Sequence, residues 1–257
     1  MSSYLISGAS RGLGLELVRQ LSLLPSSQVS SVFAITRGPS DQLNKLISSQ
    51  SDSSRITNVV IQDLTSAQDV AAGVSEVEKH LAGKGLDVVV NNAGAMTFTN
   101  GKVWDMPGED LAEIFRTNVV TAQVLTAGCV DLLKRGIAKK IVNISTTLGS
   151  MTQVHKYSWA SNYSYKISKA AMNMLTAQYA IGLGQEGFTT ISVTPGWLKT
   201  DMGSAQADLD VEVGVAAVVD IILKSTVEQN GKFLNIKVDG WENAQGPNQY
   251  DGAEVPW

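Results

Sequence analysis

The stretch that constrains this chain most is Ser7-Gly8-Ala9-Ser10-Arg11-Gly12-Leu13-Gly14. It follows the apolar run Tyr4-Leu5-Ile6 and leads into a helical pattern of Leu13, Leu17, Val18 and Leu21. The order implied is strand, tight turn, helix. Glycines let a backbone turn sharply and approach a ligand closely. The free N–H groups at a helix start can then hold a diphosphate. Gly8, Gly12 and Gly14, with Ser10, Arg11 and Leu13 between them, are therefore candidate cofactor-binding residues. Their spacing differs from the commonest G-x-G-x-x-G. An ordinary strand-to-helix turn with no ligand is the alternative.

Strand-like and helix-like patterns alternate through the rest of the chain. Val32-Phe33-Ala34-Ile35-Thr36, residues 56–61 and Leu86-Asp87-Val88-Val89-Val90 read as the second to fourth strands. Ile141-Val142-Asn143-Ile144, residues 189–193 and Phe233-Leu234-Asn235-Ile236 give three more. Helical periodicity occupies about 12–24, 40–50, 66–81, 109–135, 163–184 and 211–228. Such alternation specifies βαβ units in one α/β domain over 1–257, with a mostly parallel sheet. The strands are apolar on both faces, as a sheet covered by helices on both sides requires. The segment after Gly240 lacks periodicity and is rich in Asn, Gln, Gly and Pro. It is expected to wrap the surface over a ligand entrance, anchored by Trp241, Tyr250 and Trp257.

Bulk properties exclude several functions. With 20 Lys and Arg against 24 Asp and Glu, the net charge is −4, and no basic cluster offers a nucleic-acid surface. Cys129 is the sole cysteine, so no internal disulfide forms, and its apolar helical setting makes it a buried filler. His80 and His155 lack the spacing of a ligand pair, so no metal site is expected. No apolar run approaches the roughly 18 residues of a spanning helix. The first strand begins almost at the N-terminus, leaving no room for a secretory leader. A cytoplasmic protein with no membrane partner is the expectation.

In a sheet of this kind, ligands gather at the carboxyl ends of the strands. The second strand ends in Thr36-Arg37-Gly38. An acidic residue there would suit a free ribose 2′-hydroxyl, whereas Arg37 suits a 2′-phosphate. With Arg11 nearby it favours NADP(H) over NAD(H), unless both are plain surface arginines. Asp63 and Leu64 follow the third strand, where Asp63 can meet an adenine amino group or cap a turn. Asn91-Asn92-Ala93-Gly94 ends the fourth. Asn91, Ala93 and Gly94 are candidates for the cleft floor, or a simple strand end.

The candidate reacting groups lie further on. Tyr165 and Lys169 are four residues apart, on one face of a helix. Carbonyl reduction needs a hydride and a proton. Tyrosine can give the proton, and a neighbouring ammonium favours the phenolate and lowers the phenol pKa. Lys169 can also reach a nicotinamide ribose; an unrelated Tyr and Lys would show the same spacing. Thr146, after the fifth strand, is the candidate to hydrogen-bond the carbonyl, with Ser145, Thr147 or simple turn capping as alternatives. Asn118 lies in an apolar stretch and needs a buried partner or a ligand. It either holds a water that relays protons to Lys169 or is a satisfied structural amide. Pro195-Gly196 turns the chain after the sixth strand. Backbone groups of Pro195, Gly196 and Trp197 are candidates for the nicotinamide carboxamide, and Thr200 for that amide or a phosphate. Residues 203–210 read as a lid.

In this order and spacing, the Gly-rich turn, Asn91-Asn92-Ala93-Gly94, Asn118, Asn143-Ile144-Ser145-Thr146, Tyr165 with Lys169, and Pro195-Gly196 resemble the short-chain dehydrogenase/reductase family. The resemblance implies a Rossmann-type, doubly wound sheet of seven strands and hydride transfer from a nicotinamide cofactor. It makes Tyr165 the acid/base, Lys169 the ribose-binding lysine, Asn118 the water-holding asparagine, and Arg11 and Arg37 marks of NADPH preference. Thr146 departs from the family's usual serine; its methyl restricts the rotamer and narrows the pocket. Thr146 and Tyr165 are 19 residues apart, more than usual for the family. The extra segment 151–162, with Tyr157 and Trp159, and the loop 197–210 are expected to shape the substrate site. Gly149-Ser150, Thr200-Asp201-Met202-Gly203 and Pro256-Trp257 are similar to the carbonyl-reductase branch of sniffer and C-factor proteins and to fungal norsolorinic acid ketoreductase-like proteins. That implies NADPH-dependent reduction of a small-molecule ketone or aldehyde, an aromatic or polyketide ketone among the candidates. The alternatives are an NADP(H)-binding regulatory or scaffold protein, and an NAD+-dependent alcohol dehydrogenase. The family commonly assembles through helices matching 109–135 and 163–184, so a homodimer or homotetramer is expected alongside a monomer.

Overall fold

Alternation along the central strands sets the layers of the molecule. The computed structural model describes residues 1–257. In β1 (Ser2–Ser7), Tyr4 and Ile6 enter one core and Leu5 the other. The same division holds in β4 (Val88–Asn91), where Val88 and Val90 oppose Val89, and in β5 (Lys140–Ile144), where Val142 opposes Ile141. With β2 (Val29–Thr36), β3 (Ile56–Val60), β6 (Thr189–Thr194) and β7 (Phe233–Asn235), they form a sheet in the order β3-β2-β1-β4-β5-β6-β7. All neighbouring strands pair in parallel, giving the seven-stranded, doubly wound fold expected.

Leu17, Val18 and Leu21 of α1 (Gly12–Leu23) and Val215, Val218 and Ile222 of α7 (Val211–Lys224) fill one core. Leu43 of α2 (Asp41–Ser49) joins them. Val70, Val74 and Val77 of α3 (Ala67–Leu81) and Leu125, Cys129 and Leu132 of α5 (Thr121–Arg135) fill the other. α4 (Gly108–Phe115) and α6 (Tyr163–Gly184) complete the helices. The strand order reverses between β1 and β4, so the Gly-rich turn and the end of β4 face each other at the crevice where such folds bind ligands.

Three boundaries differ from expectation for identifiable reasons. The single helix expected over 109–135 is interrupted by a π turn, Arg116–Val120, in which Thr121 N–H reaches back to Arg116 O. β4 starts at Val88 because the Leu86 amide donates to Leu132 O of α5 (3.0 Å). The last helix stops at Lys224, since Thr226 caps a separate short turn, Val227–Gln229. No helix is long and apolar enough to cross a membrane.

Candidate active site

Backbone geometry explains the glycines of the first turn. Gly8 (φ 67°) and Gly12 (φ 55°) occupy the left-handed region. Gly14 is fixed by contact: a methyl there would lie 2.2 Å from Gly8 O and 2.5 Å from Asn92 Nδ2. It serves the packing of α1 beneath the turn. A methyl on Gly12 would meet Thr200 at 3.6 Å, an ordinary contact. Asn92, which was not among the residues singled out, clamps the turn. Its Nδ2 donates to Ser7 O (2.9 Å) and Gly8 O (3.2 Å). Ser7 Oγ in return accepts from the amides of Asn92 and Ala93 (3.0 Å each). No side chain caps the start of α1, and its first turn has no acidic residue. Its leading N–H groups are left to attract an anion.

The other cofactor-side candidates divide into exposed and engaged groups. Arg37 is exposed just beyond β2. Arg11 is also exposed and pairs with Asp201 (3.0 Å), linking the turn to the loop that holds Thr200. Ser10 O accepts from Ser40 Oγ (3.0 Å), and Leu13 packs against the α1-side core. Asp63 Oδ1 accepts from Thr65 N (2.8 Å) and Oγ1 (2.7 Å), and Oδ2 from Arg116 (3.3 Å). The Thr65 hydrogen bonds foremost, with Arg116, hold its carboxyl below the usual range. Two expectations are corrected. The Leu64 side chain is buried in the α3-side core, so only its backbone faces outward chemistry. The Asn91 side chain turns inward, not to the cleft. Its Nδ2 donates to Thr126 Oγ1 (2.8 Å) and Asn143 Oδ1 (2.7 Å), because buried amides must find partners.

Tyr165 and Lys169 share one face of α6, with the Lys169 ammonium 5.7 Å from the Tyr165 ring centre. Lys169 is buried and donates to Ile144 O at the end of β5 (2.6 Å). Burial lowers its pKa to about 8. Burial likewise pushes the Tyr165 phenol up to about 12. Burial, not the ammonium, thus sets the direction of the phenol shift, and Nζ is bonded to the strand. Thr146 is half-buried, and its Oγ1 accepts from Leu148 N (3.3 Å). Ser145, the alternative, is buried and donates to Asn173 Oδ1 (2.6 Å). Asn173 also donates to Gly149 O (3.4 Å), so one α6 side chain pins both ends of the turn bearing Thr146. Gly149 permits that close seat: a methyl there would lie 2.8 Å from Lys169 Cβ.

Asn118 is completely buried in the π turn and bonded on every side. Its Oδ1 accepts from Ala95 N (2.8 Å), and its Nδ2 donates to Ala95 O (3.0 Å) and Ser168 Oγ (2.9 Å). The satisfied-amide alternative describes this side chain. Asn118 fastens the segment after β4, including adjacent Gly94, to α6.

Beyond β6, Gly196 has φ 81° and Pro195 is buried. The backbone of Trp197 is engaged, its N–H with Tyr250 Oη (3.1 Å) and its C=O with Leu209 N (3.1 Å). One lone pair of the Trp197 carbonyl is left for the carboxamide contact expected there. Thr200 Oγ1 accepts from Gly203 N (3.2 Å), and its methyl faces Gly12. Asn173 and Ser168 are missed by sequence reasoning, and Asn92 and Gly149 enter it only as parts of motifs. The signal available for Asn173 was its position four residues after Lys169, polar on the inward face.

Comparisons with known proteins show the family and fold to which the chain is similar. The short chain dehydrogenase family profile matches residues 3–210. The carbonyl reductase Sniffer of D. melanogaster is 30% identical, superimposes with a TM-score of 0.86 and is covered fully, as is this chain. An NADPH-bound carbonyl reductase from chicken fatty liver is 28% identical with the same TM-score of 0.86, over 100% of this chain and 99% of its own. The short-chain dehydrogenase/reductase AacuF of Aspergillus aculeatus is 32% identical over 227 residues, 84% of this chain and 82% of its own.

Proposed function

The chain belongs to the short chain dehydrogenase family, and from that premise we propose that it reduces a ketone or aldehyde to an alcohol with NADPH. The observation that carries this reading is the placement of Tyr165 and Lys169 on one face of α6, with the ammonium 5.7 Å from the ring centre. The Gly-rich turn fits the cofactor: Gly8 and Gly12 shape it, and the uncapped start of α1 suits a diphosphate. Exposed Arg37 suits a 2′-phosphate, with Arg11 adding charge. Asp63 faces the adenine end, aided by the backbones of Leu64 and Asn91. Ser10, Leu13, Ala93, Gly94, Pro195, Gly196 and Thr200 line the remainder. The sequence similarity to carbonyl reductases, one of them NADPH-bound, supports the same choice.

Bound there, NADPH supplies a hydride. Tyr165 holds the proton at its phenol oxygen, and burial keeps it in place at neutral pH, as a donor requires. Lys169 keeps positive charge beside that ring and would hold the ribose of the bound cofactor. Thr146 keeps its proton and orients the carbonyl oxygen by a hydrogen bond from its hydroxyl. Asn118 is a positioning residue that holds the cleft floor against α6. Exposed Met151 (71%), Trp159 (68%) and Met202 (45%) on the two loops favour an apolar, flat substrate. Following NADPH consumption across a panel of small and aromatic carbonyls tests the reading. Turnover of an aromatic ketone is expected; tight NADPH binding with silence across the panel supports a binding protein instead.

A second copy of the chain packs on α6 in this reading. Ile167, Met174 and Ile181 recur every seven residues on one face and are 42%, 59% and 76% exposed. Sedimentation velocity should give a dimer or larger for the wild type and a smaller species for Ile181→Glu. A wild-type monomer would contradict this.

A further inference from the structure

One short C-terminal segment holds both loops assigned to the substrate. Tyr250, 4% exposed, donates its hydroxyl to Asp208 Oδ2 (2.5 Å) and accepts from Trp197 N–H (3.1 Å). Asn248 Nδ2 donates to the same carboxylate oxygen (2.7 Å). These bonds fasten the loop 197–210. On the other side, Tyr157 Oη donates to Pro247 O (3.1 Å) and Ser150 Oγ to Pro256 O (2.5 Å). Thr152 donates to Trp257 O through N (3.1 Å) and Oγ1 (2.7 Å). These fasten the segment 151–162.

The segment is itself fixed to the sheet. Asn235 Nδ2 on β7 donates to Gln249 O (2.7 Å), and Val238 N to Tyr250 O (3.0 Å). Trp257 stacks on Phe233 of β7 at 5.5 Å between ring centres. It therefore behaves as a spacer and not as a free flap. None of its groups bonds to Tyr165, Lys169 or Thr146, so it acts on the chemistry only through the loops.

We propose that residues 247–257 form a strap that sets the separation of the two loops, with Tyr250 and Asp208 as its latch, making Tyr250 a positioning residue that limits which carbonyl substrates fit. The substrate half of this inference rests on the carbonyl-reductase reading; the mechanical half does not. Burial foremost, with the bond to Asp208, pushes the Tyr250 phenol far above its ordinary range, so it remains a donor at working pH.

Tyr250→Phe in the full chain removes both latch bonds. Hydrogen exchange, read with NADPH present, should be about tenfold faster in 197–210, since a tenfold change corresponds to the worth of one ordinary hydrogen bond. It should also quicken in 151–162, to which Tyr250 makes no hydrogen bond. KM for a bulky aromatic ketone should rise about fivefold, with kcat and the KM values for a small aldehyde and NADPH within about twofold. Asp208→Asn keeps an acceptor and should show smaller changes of the same kind, which guards against misfolding of the first variant. Unaltered exchange in both variants, faster exchange confined to 197–210, or equal KM changes for all carbonyls would overturn the strap. A wild type inert towards every carbonyl would remove the functional reading, while the exchange data would still decide the mechanics.

Discussion

The Gly-rich turn and the substrate-side loops keep their shapes by opposite means. The turn is fixed by missing atoms: Gly8 and Gly12 take left-handed backbone, and Gly14 leaves room for a carbonyl at its door. The loops are fixed by polar atoms from far along the chain, 42 residues away for Tyr250 and Asp208, 106 for Ser150 and Pro256. The first region should fail chiefly when atoms are added at its glycines, the second when hydrogen bonds are removed. The cofactor end thus combines locally required glycines with one distant clamp, Asn92, whereas the substrate end depends on several bonds from the tail.

The largest effect expected from breaking this contrast is on stability. Gly14→Ala places a methyl 2.2 Å from Gly8 O. The helix propensity of alanine offers about 1 kcal/mol, and overpacking against backbone costs about 3 kcal/mol. A net loss of roughly 2 kcal/mol is expected in denaturant unfolding. Gly182→Ala, in open space on α6, should instead be neutral or stabilising by up to about 1 kcal/mol. Equal stability of both variants would erase the contrast.

A smaller effect tests the exposed charge beside the turn. Arg37→Asp should lower the preference for NADPH over NADH by about tenfold, or 1.4 kcal/mol. An unchanged ratio in cofactor titrations would remove Arg37 from 2′-phosphate recognition. The smallest effect is a pH limb. Lys169 has its pKa lowered to about 8, so its ammonium is present below that pH and is lost as pH rises through it. Tyr165, raised to about 12, stays protonated across the same window. The rate of reduction should therefore fall by about half near pH 8, and Lys169→Arg should flatten that limb because a guanidinium stays charged. A wild-type profile flat well beyond pH 8 would contradict it.

The legible parts of the molecule are those with short-range causes. Strands apolar on both faces, such as Val88-Val89-Val90, declare a sheet covered on both sides, and Tyr165 with Lys169 declare one helical face. The π turn at Asn118 was not legible, because Ala95 and Ser168, which satisfy its amide, lie 23 and 50 residues away. Asn91 misled for the same reason: its partners Thr126 and Asn143 sit on other elements. The tail was read as a surface wrap anchored by aromatic residues, and Trp257 on Phe233 fits that. Its hold on both loops depends on Asp208 and Pro247, whose roles have no local pattern. The Tyr165 phenol also departs from the simple pairing rule: burial raises it, and the ammonium is bonded to Ile144 O.

The most direct measurement places NADPH binding and NADPH consumption side by side in the wild type and Tyr165→Phe, with one ketone that the wild type turns over. If Tyr165 gives the proton, the variant should bind NADPH within about twofold of the wild type, and its turnover should fall by about 10²–10⁴-fold, the usual contribution of a positioned acid. Turnover near the wild-type rate in Tyr165→Phe, with NADPH binding intact, would contradict the proposed chemistry.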